Sequence, residues 1–154
     1  MTEPTVIWVD GDPAAQGSKK LVRLKTGRTI MLENSRKVKP WRAAVADAAR
    51  EANCPMHMGD VAVYAVVRFV RPKSHYKADG TLRTGRQARP GYADCDKLAR
   101  AICDGLAGIA YPNDRQVAIL AIERVWASPG TGSGAIIQIG PAPAAGKFEY
   151  CHAD

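Results

Sequence analysis

The stretch DVAVYAVVRFV, at residues 60–70, constrains the fold more than any other part of the chain. It is rich in valine and alternates in part, a pattern that favours a strand in the middle of a sheet. Three further β-rich runs accompany it, at residues 5–11, 115–127 and 135–140. We therefore expect a small sheet that contains all four segments.

A helical pattern separates the first of these runs from the valine-rich one. Small or apolar residues recur there every three or four positions, at Trp41, Val45, Ala48 and Ala52, as on one face of an amphipathic helix. Pro40 suits the first position of such a helix, and Asn34 or Ser35 is a candidate cap.

Two more elements complete the predicted fold. Residues 19–24 and 28–33 flank a turn at Thr26 and Gly27, which indicates a hairpin. A second helix is expected from Lys97 to Ala107, with Asp96 at its N-cap. The fold class is thus α+β, a small mixed β-sheet with two main helices. We expect one domain at residues 1–140 and a loosely ordered tail at residues 141–154.

The net charge of the chain is +7 in 154 residues, which suits an acidic partner such as nucleic acid. No apolar run approaches the ~20 residues that cross a membrane, and the N-terminus lacks the pattern of a secretory signal. The four cysteines form no CxxC pair, so we interpret them as reduced thiols. These features predict a cytoplasmic protein that has no membrane partner.

Three acids stand close together in this basic chain: Asp94 and Asp96 in YADCDKL, and Asp114 in YPNDRQV. Carboxylates that are held close repel each other unless a cation lies between them, and Mg²⁺ prefers such oxygen ligands. The return of the chain after the second helix could bring Asp114 beside the pair. The pattern is compatible with a metal-dependent phosphodiesterase site, although a lone D-x-D is most often a turn or a helix cap, and Asp114 suits a turn as well.

The segment between the valine-rich strand and the acids is polar, punctuated by glycine and proline, and strongly basic. We predict a long loop whose cations contact DNA phosphates, either as a fixed clamp or by ordering when DNA arrives. The predicted DNA-binding residues are Arg71, Lys73, Lys77, Arg83, Arg86 and Arg89.

Residues 90–117, PGYADCDKLARAICDGLAGIAYPNDRQV, resemble the signature of the RusA family of Holliday junction resolvases. That signature runs D-x-D-[NK]-L-x-[KR]-x-x-x-D-[AG]-L, followed by a short linker, an acidic pair and Q-V. The resemblance implies a RusA-like fold and a Mg²⁺-dependent endonuclease, with Mn²⁺ as an alternative ion. It further implies a homodimer that cuts four-way junctions or other branched DNA in paired nicks that leave 5′-phosphates. Such enzymes are often encoded by phages, which would place this one in the host cytoplasm.

Carried over residue by residue, the resemblance makes Asp94, Asp96 and Asp114 the metal ligands. Arg100 stands where many members have a catalytic lysine, and its high pKa limits it to electrostatic stabilisation of phosphate. Lys97 is a second candidate for that role, and Asp104 is expected to support the site. Asn113 replaces an acid that members often have, so Asp114 is the single carboxylate of that pair.

Two alternatives stay open at this point. The chain could be a basic DNA-binding module of the same fold in which the acids only cap helices and turns. It could also be a nuclease with less preference for branched substrates. Cleavage of a synthetic junction, compared with cleavage of linear duplex, separates the three cases.

Overall fold

The computed structural model describes residues 3–17, 20–32, 36–86 and 89–145. They form six strands and two α-helices, which confirms the α+β fold class. The elements in chain order are β1 (Thr5–Asp10), β2 (Lys20–Arg23), β3 (Thr29–Leu32), α1 (Val38–Glu51), β4 (Val61–Phe69), α2 (Cys95–Leu106), β5 (Val117–Trp126) and β6 (Gly134–Pro141).

A four-stranded mixed sheet, in the order β1-β6-β4-β5, organises the molecule. The valine-rich strand β4 lies inside it, as predicted, antiparallel to β6 and parallel to the edge strand β5. Parallel neighbours need a crossover connection, and the basic loop and α2 form it. The basic loop and the helix next to the acids therefore belong to one connection, between β4 and β5.

Both helices cover one face of this sheet. Along the strands, buried side chains on that face alternate with exposed side chains on the other face. In β1, Ile7 and Val9 are fully buried, whereas Trp8 between them is 63% exposed. In β4, Val63 is likewise buried and Tyr64 exposed. One face thus holds the hydrophobic core, and the other is open to solvent.

The two helices pack tightly against each other within this core. Trp41 and Val45 of α1 are buried together with Leu98 and Ile102 of α2. The helices approach so closely that a Cβ atom added at Gly105 would lie 2.9 Å from the Val45 Cβ. This contact fixes the orientation of α2, which carries Asp96 and Asp104 and has Asp94 at its N-cap.

The predicted hairpin is confirmed, with β2 antiparallel to β3 around a turn in which Gly27 has φ +82°. The predicted helix starts were wrong. Helix α1 begins at Val38 with Lys37 as its N-cap, so Pro40 is its third residue instead of its first. The expected caps Asn34 and Ser35 lie outside the described residues. Helix α2 begins two residues earlier than predicted, because Asp94, rather than Asp96, has the extended backbone of an N-cap.

The boundary predicted at residue 140 falls one residue before β6 ends. The Ala142 N–H still donates to the Asp60 carbonyl at 2.8 Å, so the sheet region extends slightly into the predicted tail. Residues 146–154 of that tail lie outside the described part of the chain.

Candidate active site

The exposed face of α2 presents a line of charged side chains. Asp96, Arg100 and Asp104 are each one helical turn apart, so they project from the same side of the helix. They line an open pocket of about 340 Å³ between α2 and the start of β5. Its remaining lining residues are Ala99, Cys103, Asp114, Val117 and Leu120.

Asp114 reaches this pocket through the tight return that follows α2. It begins a short 3-10 turn, Asp114–Gln116, that leads directly into β5. The buried Tyr111 hydroxyl donates to the Cys103 carbonyl at 2.9 Å, which ties the return to the helix. Burial raises the pKa of Tyr111, so this hydroxyl keeps its proton and the tie persists at neutral pH.

Gln116 holds the turn that carries Asp114. Its Nε2 donates to the carbonyls of His57 and Gly59, at 3.0 and 2.9 Å. Its Oε1 accepts from the Asn113 N–H at 3.2 Å, and the Asn113 Oδ1 in turn accepts from the Arg115 N–H at 2.9 Å. Asn113 therefore caps the turn, while Asp114 faces the pocket.

Asp94 and Lys97 form a pair that does not line the pocket. The Lys97 Nζ lies 2.8 Å from the Asp94 Oδ2. The hydrogen bond and the charge of Lys97 lower the pKa of Asp94, and Arg124 adds to this effect. The same contact raises the pKa of Lys97. Both groups are therefore charged at neutral pH, and Asp94 is engaged with a cation of its own chain.

The pocket residues differ in how far they are already paired. Asp104 lies 3.4 Å from Arg42 of α1, which ties it to the helix–helix contact. Asp96, Arg100 and Asp114 form no ion pair with another residue in the described ranges. Within the described part of the chain, two carboxylates and a guanidinium thus face the pocket without a partner of opposite charge.

These residues fit a hard divalent cation by their donor chemistry. Mg²⁺ is commonly held by one or two carboxylates together with water and substrate phosphate oxygens, and Asp96 and Asp114 are exposed carboxylates on one pocket. In the described part of the chain, no group of three or more His, Cys, Asp or Glu side chains is already arranged around a common metal position. The Asp94 side chain would have to leave Lys97 to join such a set.

The basic loop precedes this site and has defined turns in its described residues. Residues Lys73–His75 form a 3-10 turn, and a bridge between Tyr76 and Leu82 closes a small hairpin. Asp79, its only acid, accepts hydrogen bonds from the Thr81 N–H and hydroxyl at 2.9 and 2.6 Å. These bonds hold Asp79 within the turn and lower its pKa, so it stays ionised as the single negative charge among the cations of the loop.

The six predicted DNA-binding residues are not equivalent in the structure. Lys73, Lys77 and Arg86 are exposed. The Arg83 Nε donates to the Tyr76 carbonyl at 3.1 Å, and Arg89 pairs with Glu123 of β5 at 2.5 Å. The guanidinium carbon of Arg71 lies 4.6 Å from the centre of the Trp126 ring.

Asp104, for which the resemblance implies a supporting role, lines the same pocket as Asp96, and the helical spacing between the two is the sequence signal for this placement. Arg124 of β5 is not among the predicted site residues. Its guanidinium donates to the Ala93 carbonyl just before α2, a contact between distant segments that no local pattern reveals.

A comparison with known families identifies the family of the chain. The family model described as "Endodeoxyribonuclease RusA" matches residues 10–138 of the 154. The class of protein is therefore a nuclease that cuts within DNA. More particularly, the chain belongs to the RusA family, whose members resolve Holliday junctions, and the predicted resemblance is confirmed. No curated protein matches the chain. In the described ranges, no helix is long and apolar enough to cross a bilayer.

Proposed function

We propose that the chain is a Mg²⁺-dependent endonuclease that acts as a homodimer and resolves four-way DNA junctions by paired cleavage. The observation that carries this proposal is the pocket on α2, where Asp96, Asp114 and the unpaired Arg100 come together. A cationic crossover leads into the same helix, so DNA phosphates held by the loop would lie near the acids.

Asp96 and Asp114 would hold the ion, and Asp94 would join them after it releases Lys97. The bound ion would supply an activated water and neutralise charge on the phosphate. Arg100 would donate to the non-bridging phosphate oxygens, where its planar guanidinium matches phosphate geometry. Lys97 would add a second positive charge at the N-terminus of α2. Asp104, tied to Arg42, would hold the far end of the charged face.

The dimer belongs to the proposal because of the substrate. A four-way junction has approximate two-fold symmetry, and two subunits related by a two-fold axis can present one pocket to each of two opposed strands. Paired nicks of this kind separate the junction into two duplexes. Since the substrate is DNA in the cell interior, we place the enzyme in the cytoplasm.

The test is cleavage of a synthetic four-way junction and of a linear duplex with the same sequence, each with Mg²⁺ or with chelator. We expect cleavage of the junction that depends on Mg²⁺. We expect Asp96→Asn to cleave the junction at least about 100-fold more slowly than the wild type, as for loss of a principal electrostatic group. Asp47→Asn is the matched control, because Asp47 is exposed on α1 and pairs with Arg50 instead of lining the pocket.

Three results would contradict the proposal in different ways. Cleavage by Asp96→Asn at the wild-type rate would show that the Asp96 carboxylate has no part in the reaction. Tight junction binding without cleavage in Mg²⁺ or Mn²⁺ would show a non-catalytic binding module. Equal cutting of junction and duplex would show a nuclease without structural preference.

A further inference from the structure

Three aromatic rings meet where β4 and β5 end, on the face of the sheet that carries the helices. The Trp126 ring lies 5.6 Å from the Tyr92 ring and 5.4 Å from the His75 ring, measured between centroids. Both partners stand almost perpendicular to the indole, at 84° and 82°. Phe69 supports the group from β4, with its ring 5.9 Å from that of Tyr92.

These rings frame a pocket and do not close into a core. The pocket has a volume of about 210 Å³ and is lined by His75, Gly91, Tyr92 and Trp126. Tyr92 is 58% exposed, so folding leaves much of one large ring in solvent. The arrangement offers flat apolar surfaces to a ligand and contributes little to the hydrophobic core.

Cations surround the aromatic pocket. The guanidinium carbon of Arg71 lies 4.6 Å from the centre of the Trp126 ring, and the exposed Lys73 begins the 3-10 turn that ends at His75. Desolvation lowers the pKa of His75, and the positive charges of Arg86 and Arg71 lower it further. Aromatic faces for bases, combined with cations for the backbone, are the means by which proteins hold unpaired nucleic acid.

The aromatic pocket and the acidic pocket lie on the same side of β5. Side chains alternate along a strand, so Leu120, Arg124 and Trp126 share one face. Leu120 lines the acidic pocket and Trp126 the aromatic one. Six residues of extended strand separate them, which is about 20 Å. One DNA strand that runs along this edge could therefore contact both pockets.

We propose that the aromatic pocket of His75, Tyr92 and Trp126 binds one unstacked base of the DNA substrate. The base stacks on Tyr92, while Arg71 and Lys73 contact the flanking phosphates. This inference rests on the proposed function, because it takes DNA as the ligand. Removing a base from its stack costs least where the base is already unpaired or poorly stacked. The aromatic pocket would therefore favour branch points over regular duplex and contribute to structural selectivity.

The experiment measures binding of a fluorescent four-way junction in chelator, where no strand is cut. Abasic sites replace one nucleotide at a time on either side of the branch point. For the wild-type chain, we expect one position at which loss of the base weakens binding by about tenfold. For Tyr92→Leu, which removes the flat ring but keeps apolar bulk, the intact junction binds about tenfold more weakly, and loss of that base has no further effect.

Two control variants separate stacking from general damage. Tyr92→Phe keeps the ring and is expected to bind as the wild type does. Tyr64→Leu changes an exposed tyrosine on the opposite face of the sheet and is expected to retain the full dependence on the base. Thermal unfolding of each variant verifies that the fold is intact, as the exposure of Tyr92 leads us to expect.

The outcomes also separate this inference from the proposed function. If loss of each base weakens wild type and Tyr92→Leu equally, or weakens neither, the aromatic pocket binds no base and the inference is wrong. Cleavage of the junction by the wild type in Mg²⁺ is measured in parallel. A chain that shows the dependence on Tyr92 and the base but never cleaves supports the aromatic pocket and contradicts the nuclease mechanism.

Discussion

Replacement of Gln116 by alanine tests whether the turn that presents Asp114 is built as described. One amide side chain makes three hydrogen bonds there, to the carbonyls of His57 and Gly59 and from the Asn113 N–H. The substitution removes all three and leaves these backbone groups to water. The turn that carries Asp114 then loses its connection to the segment before β4.

The size of the effect follows from these contacts. A hydrogen bond contributes a net ~0.5–1.5 kcal/mol to the free energy of unfolding. The Gln116 side chain is partly accessible to solvent, so each of its bonds is expected to contribute an amount near the lower end of this range. We expect Gln116→Ala to lower the free energy of unfolding by about 2 kcal/mol. In a chain of this length, that corresponds to a fall in Tm of about 4–8 °C. Urea and thermal unfolding, followed by circular dichroism, measure both quantities.

Two further variants sharpen this test. Gln116→Glu has the same shape but turns the Nε2 donor into an acceptor that faces two carbonyls, so it should be at least as unstable as Gln116→Ala at neutral pH. Gln138→Ala removes an exposed glutamine from the open face of the sheet and should change stability by less than about 0.5 kcal/mol. A Gln116→Ala chain as stable as the wild type would refute the role assigned to these bonds.

Three other predictions concern charged groups. Lys97→Met removes the main cause of the lowered Asp94 pKa, so carboxyl NMR should show that pKa rise towards its ordinary value; an unchanged pKa would contradict the pairing. The pKa of His75 is lowered by desolvation and by the charges of Arg86 and Arg71. An NMR titration should therefore find the ring neutral at pH 7, and Arg86→Gln should raise its pKa. Arg100→Gln should slow single-turnover junction cleavage by about 100-fold without loss of stability, whereas an unchanged rate would exclude a phosphate contact.

Strands and helices were predictable where the pattern is local. The alternation and valine content of residues 60–70 indicated an inner strand, and the structure confirms it. The start of α2 was predicted two residues late, because either Asp94 or Asp96 can cap a helix and only the backbone conformation distinguishes them. Because the helix begins at Cys95, Asp96 belongs to its first turn and shares a face with Arg100 and Asp104, an arrangement that the predicted start at Lys97 did not include.

Other features depend on contacts between distant parts of the chain and left no local signal. His75, Tyr92 and Trp126 come from three separate segments, and only the parallel pairing of β4 with β5 brings those segments together. The pairing of Asp94 with Lys97 is local, but a pattern of acids at ligand-like spacing does not reveal which cation each acid faces. The sequence thus supplies candidate site residues, whereas the arrangement of their side chains depends on contacts that no local pattern shows.

The most direct test of the proposed mechanism is whether the acids of the α2 pocket bind a divalent ion. Mn²⁺ can be titrated into the wild-type chain with bound junction DNA, and its unbound fraction follows from the electron paramagnetic resonance signal. We predict binding by the wild type and by Asp47→Asn, and loss of that binding in Asp96→Asn and in Asp114→Asn. Equal Mn²⁺ binding by all four chains would contradict the assignment of these carboxylates as metal ligands.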